Sequence, residues 1–290
     1  MAITINTNLQ SLVVQKNLNN ATNQLNSAIE RMTTGYKINH ASDNAAGYSI
    51  ARNWEAQLGS LDVAADNAAT GADMLATLED NYALISSHIQ RVRDLTEQAS
   101  NGTYGEQSKK AIQAEIQARL DEVDRIAANC EFNGIDLMKG DFNVNGLDIQ
   151  VGIDGDKDRS RINLTADLFA NGSISGLFGQ AGAADLAKKC AGLDTTDGNS
   201  AQQQLSKIDD VINKISNRIT TLGAAQNRIE SAIESISVQS ENITSSLSTL
   251  RDADVATEPS NYIKAQILQQ ASATLLSTAN QSPSIALNLL

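Results

Sequence analysis

Residues 208–250 read IDDVINKISNRITTLGAAQNRIESAIESISVQSENITSSLSTL. Ile208, Ile215, Leu222, Ile229, Ile236, Ile243 and Leu250 stand seven apart, and Ile212, Ile219, Ile233 and Leu247 fill the intervening fours. Gln226 and Ser240 interrupt the second row. A 3-4 apolar repeat keeps one stripe of a helix turned toward a partner, because seven residues make almost two full turns. The stretch therefore predicts a helix of about six heptads, roughly 60 Å long at ~1.5 Å per residue. One apolar stripe on so long a helix must be covered by other helices, so the fold class is mostly α, a long-helix coiled-coil bundle.

Partners for that stripe stand upstream. In 44–100, Leu61, Ala64, Ala68, Gly71, Leu75, Leu78, Tyr82, Ile85, Ile89, Val92 and Ala99 alternate by threes and fours, with Thr96 as a lapse. The first half of this seam is small, which lets helix backbones approach closely. Asn101-Gly102 predicts its stop. A third stripe follows at Ile112, Ile116, Leu120, Val123 and Ala127. The two ends carry shorter seams: Leu18, Ala21, Leu25, Ala28 and Met32 at one, Leu268, Ala271 and Leu275 at the other. Gly35 is expected to end the first helix and Asp43 or Ser42 to cap the next, while Asp252, Asp254 and Pro259 mark the break before the last. Short helices are marginal alone in water, so each terminal helix needs a partner.

Only residues 131–200 read differently. Leu147, Ile149, Val151 and Ile153 alternate with polar residues or glycine, Asp154-Gly155-Asp156 makes a turn, and Ile162 and Leu164 resume the alternation. This predicts a small β-hairpin. Residues 170–200, rich in Gly, Ala, Ser and Asn, read as loop.

Composition bounds the function. The protein has 290 residues and a formal net charge of −12, which disfavours nucleic acid and anionic membrane surfaces as partners. Aromatic residues are 3 % of the total, with Trp54 the one tryptophan, which suits a bundle whose seams are filled by Leu, Ile, Val and Ala better than a compact globule. The two prolines, Pro259 and Pro283, lie near the C-terminal end, so no other proline breaks a helix earlier. Cys130 and Cys190 lack CxxC spacing and read as two ordinary small side chains, a single bridge between them being the alternative. The first residues have no basic n-region or apolar h-region, so a standard secretory leader is not expected. No run approaches the roughly 18 apolar residues of a membrane helix. Composition alone would place the protein in the cytoplasm.

Nothing in the sequence argues for catalysis. His40 falls in the 33–43 turn region and His88 beside the second seam, with no HExxH and no ligand-spaced cluster. Asp121, Glu122 and Asp124 lie beside Arg119 and Arg125 as a solvated helix face. GxGxxG, P-loop and GxSxG signatures are missing. No catalytic residue, metal or cofactor is expected. The polar faces favour Asn, Gln, Ser and Thr over Lys and Glu, a surface that suits close packing among many neighbours.

Two longer stretches carry a family resemblance. RMTTGYKINHASDNAAGYSI at 31–50 and RDADVATEPSNYIKAQILQQASATLLSTANQSPSIALNLL at 251–290 resemble the terminal signatures of bacterial flagellins. Ile5-Asn6-Thr7-Asn8 is similar to their start, and QRVRDLTEQASNGT at 90–103 and AIQAEIQARLDEVDRIA at 111–127 resemble their inner-domain helices. The match covers about 1–164 and 205–290. Lys37, His40 and Ser42, and Asp94, Thr96 and Glu97, depart from the commonest family residues; Pro259 suits a break between helices, and cysteines are unusual in the family.

The resemblance implies a secreted structural subunit of the bacterial flagellar filament, with no enzymatic activity. It implies export in an unfolded state through the flagellar export apparatus with a chaperone, and polymerisation at the tip for motility. Filament cap and hook-junction proteins are the implied partners besides further copies of itself. It also implies three regions: 1–42 with 255–290 as a terminal coiled-coil domain forming the filament core, 43–164 with 205–254 as an inner helical domain carrying the hairpin, and 165–204 as a short loop-rich insert in place of outer domains. Leu18, Leu25, Met32, Ile267, Leu268 and Leu275 are the expected assembly residues. Arg91, Leu95, Glu115 and Arg119 are the expected patch for Toll-like receptor 5 or for a neighbouring subunit. The rival readings are a hook–filament junction protein, a flagellin with a zinc protease insert, and a free helical binding module such as a secretion translocator.

Overall fold

The computed structural model describes residues 8–140, 146–179, 182–193 and 201–287. The protein divides into two compact units, Gly59–Ser240 and Met1–Leu58 with Glu241–Leu290. Two long helices, α2 (Ala45–Ser100) and α7 (Ala201–Arg251), contribute to both. The division therefore falls inside these two helices.

In the larger unit, α2 and α7 join α3 (Glu106–Asn129) around one core. All eleven α2 seam residues from Leu61 to Ala99 are buried, as are Ile112, Ile116, Leu120, Val123 and Ala127 of α3. Thr96 fits the seam because its hydroxyl donates to the Val92 carbonyl, 2.7 Å away, so its own buried oxygen is paired. Gln226, a lapse in the α7 repeat, donates to Glu79 on α2 at 2.8 Å. Helical period and burial agree here because the same stripe faces the same neighbours over many turns.

The β region holds two antiparallel pairs. Strands β1 (Glu131–Phe132) and β2 (Ile135–Asp136) turn at Asn133-Gly134, both with positive φ. Strands β3 (Leu147–Gln150) and β4 (Arg161–Leu164) pair Leu147 with Leu164 and Ile149 with Ile162. Their connection is longer than a tight turn and contains the helical turn α4 (Lys157–Ser160). The Val151 and Gly152 amides both donate to Ser160, which ends the ladder before Ile153. Gly71 lets the hairpin meet α2: a Cβ there would lie 2.4 Å from the Ile149 Cδ1 atom. Gly146 is equally constrained, with φ +67 and a Cβ position 1.8 Å from the Leu164 carbonyl oxygen.

The loop expected over 170–200 is corrected in its described part. A 3-10 turn (Ala166–Phe169) precedes helices α5 (Ile174–Phe178) and α6 (Ala183–Cys190). Leu168, Phe169, Ile174, Leu177, Leu186 and Ala187 are buried in the common core. Helix α6 lies against α3 with Leu186, Ala187 and Cys190 buried, and helices this short have too few turns for a period to be read from sequence. Residues 180–181 and 194–200 of the expected loop lie outside the described residues.

In the smaller unit, α1 (Leu9–Thr34) and α8 (Glu258–Leu287) form an antiparallel pair. Asn8 at one end donates to Ala279, Gln269 donates to Thr22, and Arg31 pairs with Glu258 at 3.6 Å at the other end. Gly35 ends α1 in the left-handed conformation, as its sequence position implied. The cap of α2 is Asn44, whose side-chain oxygen accepts from the Gly47 amide at 2.9 Å. Asp43, one of the expected caps, instead accepts from the Asn39 and His40 amides and holds the preceding turn. Those bonds, His40 first, hold its carboxyl below the usual carboxylate range. Pro259 sits in the first turn of α8, where no helical N–H is required.

Candidate functional site

The α1/α8 pair carries the first candidate surface. Its seam uses small or polar side chains seven apart: Ala21 and Ala28 on α1 are buried, and Ala265 and Ser272 are buried on α8. Leu18 and Leu25 flank the α1 seam, half-buried. The α8 seam expected at Leu268, Ala271 and Leu275 is corrected by the structure, since all three are exposed. Ile267 is 59 % exposed, Leu275 57 % and Met32 48 %. The physical reason is close approach: two helices meeting at alanine and serine leave no room for leucine between them, so the large side chains turn outward. Leu12, Val13, Ile29 and Ile263 are exposed in the same way. An antiparallel pair that hides its small residues and shows its large apolar ones has the chemistry of a surface to be covered by something else.

Beside this pair, the two connections between short and long helices are laced together. The Lys37 amide donates to the Arg251 carbonyl at 2.7 Å, and the Ala253 amide donates to the Gly35 carbonyl at 2.8 Å. Lys37 Nζ donates to the Thr249 carbonyl. The Arg251 guanidinium lies 4.1 Å over the Tyr36 ring and is paired with the Glu55 carboxylate. Sequence reading missed this clasp. Its participants are 196 or more positions apart, and no periodicity links them.

The second candidate surface lies on α2 and α3. Arg91 donates from Nε and a terminal nitrogen to Glu115 Oε1, at 3.1 and 3.0 Å, and Arg119 reaches the same carboxylate at 3.9 Å. These three side chains, all partly exposed, meet as the sequence suggested. Leu95 does not join them on the surface. It is 2 % exposed and belongs to the core, because position 95 falls beside the Val92–Ala99 seam.

Tyr82, Arg218 and Asp124 all serve one turn of the structure. Tyr82 is fully buried with its hydroxyl near the carbonyls of Leu168 and Ala170, 3.2 and 3.3 Å away, and burial raises its pKa. Arg218 reaches both that hydroxyl and the Asn171 carbonyl at 3.4 Å. Asp124 accepts from the Ile174 amide at 2.7 Å. The 168–174 turn is thus held from α2, α3 and α7. Cys130 and Cys190 are separate buried thiols, each pushed up to about 11 by desolvation. Among the described residues no helix is long and apolar enough to cross a membrane, and no three His, Cys, Asp or Glu residues gather as a metal site.

A three-helix core with a hairpin, and a terminal helix pair with an apolar outer face, define a structural protein built for polymeric association. Residues 5–143 match the model of the bacterial flagellin N-terminal helical region, and residues 205–290 match that of the bacterial flagellin C-terminal helical region. The flagellin of Bacillus subtilis is 36 % identical over 305 residues, and that of Listeria monocytogenes 33 % over 287, each alignment covering 99 % of both proteins. A solved Vibrio parahaemolyticus structure described as a flagellar hook-associated protein superposes with a TM-score of 0.58. It is 13 % identical and covers 72 % of this protein and all of its own length, a likeness of fold alone. The protein belongs to the bacterial flagellins, in a short form without outer domains. It is therefore a structural subunit of the extracellular flagellar filament that self-polymerises, not an enzyme.

Proposed function

We propose that this flagellin leaves the cell unfolded through the flagellar export apparatus, escorted by a chaperone, and adds to the filament tip beneath a cap, the filament being joined to its hook through junction proteins. The assembly domain is 1–42 with 255–290, and its contacts with neighbouring copies run through Met32, Ile267, Leu268 and Leu275 on the outer face, with Leu18 and Leu25 packing the pair itself. The inner helical domain is 43–164 with 205–254, and 165–204 stands in place of outer domains. The observation that carries this reading is the inverted packing of the terminal pair, whose large apolar side chains face outward. Fluorescently labelled monomer offered to unlabelled filament seeds should mark one end only. Label distributed along the seeds, or at both ends equally, would contradict growth at the tip.

A second reading concerns recognition by animals. Arg91, Glu115 and Arg119 form a charged surface cluster suited to directional contacts with Toll-like receptor 5 or with an adjacent subunit. Leu95, one turn along α2 from Arg91, lies in the core and not in that cluster. The two uses are compatible, since a patch covered in the filament is open on the monomer. In cells reporting that receptor, wild-type monomer should signal, and Arg91→Ala should weaken the response by about tenfold, the scale of one charged hydrogen-bonded contact. An inactive wild-type monomer, or an Arg91→Ala monomer with full activity, would remove the receptor from this reading.

A further inference from the structure

Three Asn-Gly pairs lie among the described residues: Asn101-Gly102, Asn133-Gly134 and Asn171-Gly172. This dipeptide can react with itself, because glycine leaves the following backbone nitrogen sterically open to the asparagine side chain. Attack is promoted by three things together: the asparagine amide carbon held near that nitrogen, a donor for the developing oxyanion, and water for the later hydrolysis.

We propose that Asn101 is a site of structure-promoted deamidation. Its Oδ1 atom accepts a hydrogen bond from the Thr103 amide at 3.1 Å. That Asx turn ties the asparagine amide group to its own following backbone and supplies a backbone donor to the oxygen on which negative charge develops. Asn101 and Gly102 are exposed between α2 and α3, and a Cβ at Gly102 would meet nothing within 4 Å. The other two pairs each lack a requirement. Asn171 has the same turn, with the Ser173 amide at 2.8 Å, but it is half-buried and the Gly172 amide is committed to the Met138 carbonyl at 2.9 Å. Asn133 is exposed, but its backbone has φ +50 in the β1–β2 turn, where ring closure must work against the paired strands.

The chemistry balances without any oxidant or cofactor. The Gly102 nitrogen loses its proton and bonds to Asn101 Cγ, the bond from Cγ to Nδ2 breaks, and ammonia leaves. Water then opens the resulting succinimide at one of its two ring bonds to nitrogen. The products are aspartate, or isoaspartate with one additional backbone methylene in the α2–α3 connection. Either adds a negative charge shortly before Glu106, the first residue of α3. In an extracellular subunit this conversion records time since export.

The test incubates full-length protein at mildly alkaline pH, natively and in concentrated guanidinium, then follows amide-to-acid conversion at each pair by peptide mass spectrometry. Isoaspartate is scored separately by enzymatic methylation. In the native protein Asn101 should convert about tenfold faster than Asn133 and Asn171, a modest share of what orientation can provide. In denaturant the three rates should converge. Thr103→Pro, which removes the amide donor while keeping the Asn-Gly pair, should bring the native Asn101 rate toward that of Asn133. The proposal is overturned if Asn101 leads by the same factor in both solvents, or if Asn133 or Asn171 converts first in the native protein.

Discussion

Ile267→Asp combined with Leu275→Asp is expected to abolish filament formation while leaving a folded monomer. Both side chains are more than half exposed on α8, so the monomer gives up little apolar burial when they change. Surface substitutions of this kind alter stability by about 0.5 kcal/mol or less. On the proposed assembly the same positions are covered by neighbouring copies. Each replacement there forfeits about 1.5–3 kcal/mol of apolar burial and brings an unpaired carboxylate out of water. Because the change repeats in every subunit, the combined effect should raise the critical concentration beyond practical reach. Sedimentation and electron microscopy of concentrated protein would give the answer, with thermal melts as the check on folding. Filaments of ordinary length from the double variant would refute the role given to this face. Ala265→Leu offers a contrasting case: it changes the buried seam, and should disturb the α1/α8 pair itself.

The second large effect separates two isoleucines that the heptad pattern makes equivalent. Ile215 and Ile243 occupy the same register position on α7, four heptads apart. Ile215 is fully buried in the three-helix core, whereas Ile243 is half-buried. Ile215→Ala should destabilise the monomer by about 2–5 kcal/mol, through lost transfer free energy and the cavity left behind. Ile243→Ala should cost less than about 1 kcal/mol, because a half-exposed side chain loses less burial and leaves no closed cavity. Urea unfolding of the two purified variants measures both. Equal losses would mean that burial along α7 does not fade toward its C-terminal end as the side chains indicate.

That pair also explains what sequence could and could not convey. The seams of α2, α3 and the first part of α7 were legible because each apolar row serves a single core over many turns. The α8 seam was misread because the largest apolar residues were assigned to the inside. In this pair alanine and serine are inside, and Leu268 and Leu275 stand exposed on the outer face. Leu95 was drawn to the surface by motif likeness, although its helical position beside Val92 and Ala99 already pointed inward. Helices α5 and α6 were hidden by length, since five and eight residues cannot display a convincing period. The Tyr36–Arg251–Glu55 clasp was beyond pattern reading because it depends on segments that only folding brings together. The charged cluster of Arg91, Glu115 and Arg119 was reachable from two motifs, one on each of two adjacent helices.

The anchored turn at 168–174 bears on how short the middle of such a protein can become. Tyr82, Asp124 and Arg218 each spend a buried or half-buried polar group on that turn. The residues that follow contribute Ile174, Leu177, Leu186 and Ala187 to the core. Trimming this stretch would strand three polar groups and open an apolar wall, so it sets a lower limit on economy in the gene. A flagellin that had shed every ornamental domain would still have to keep these few turns, and a foreign peptide grafted into them would displace masonry, not decoration.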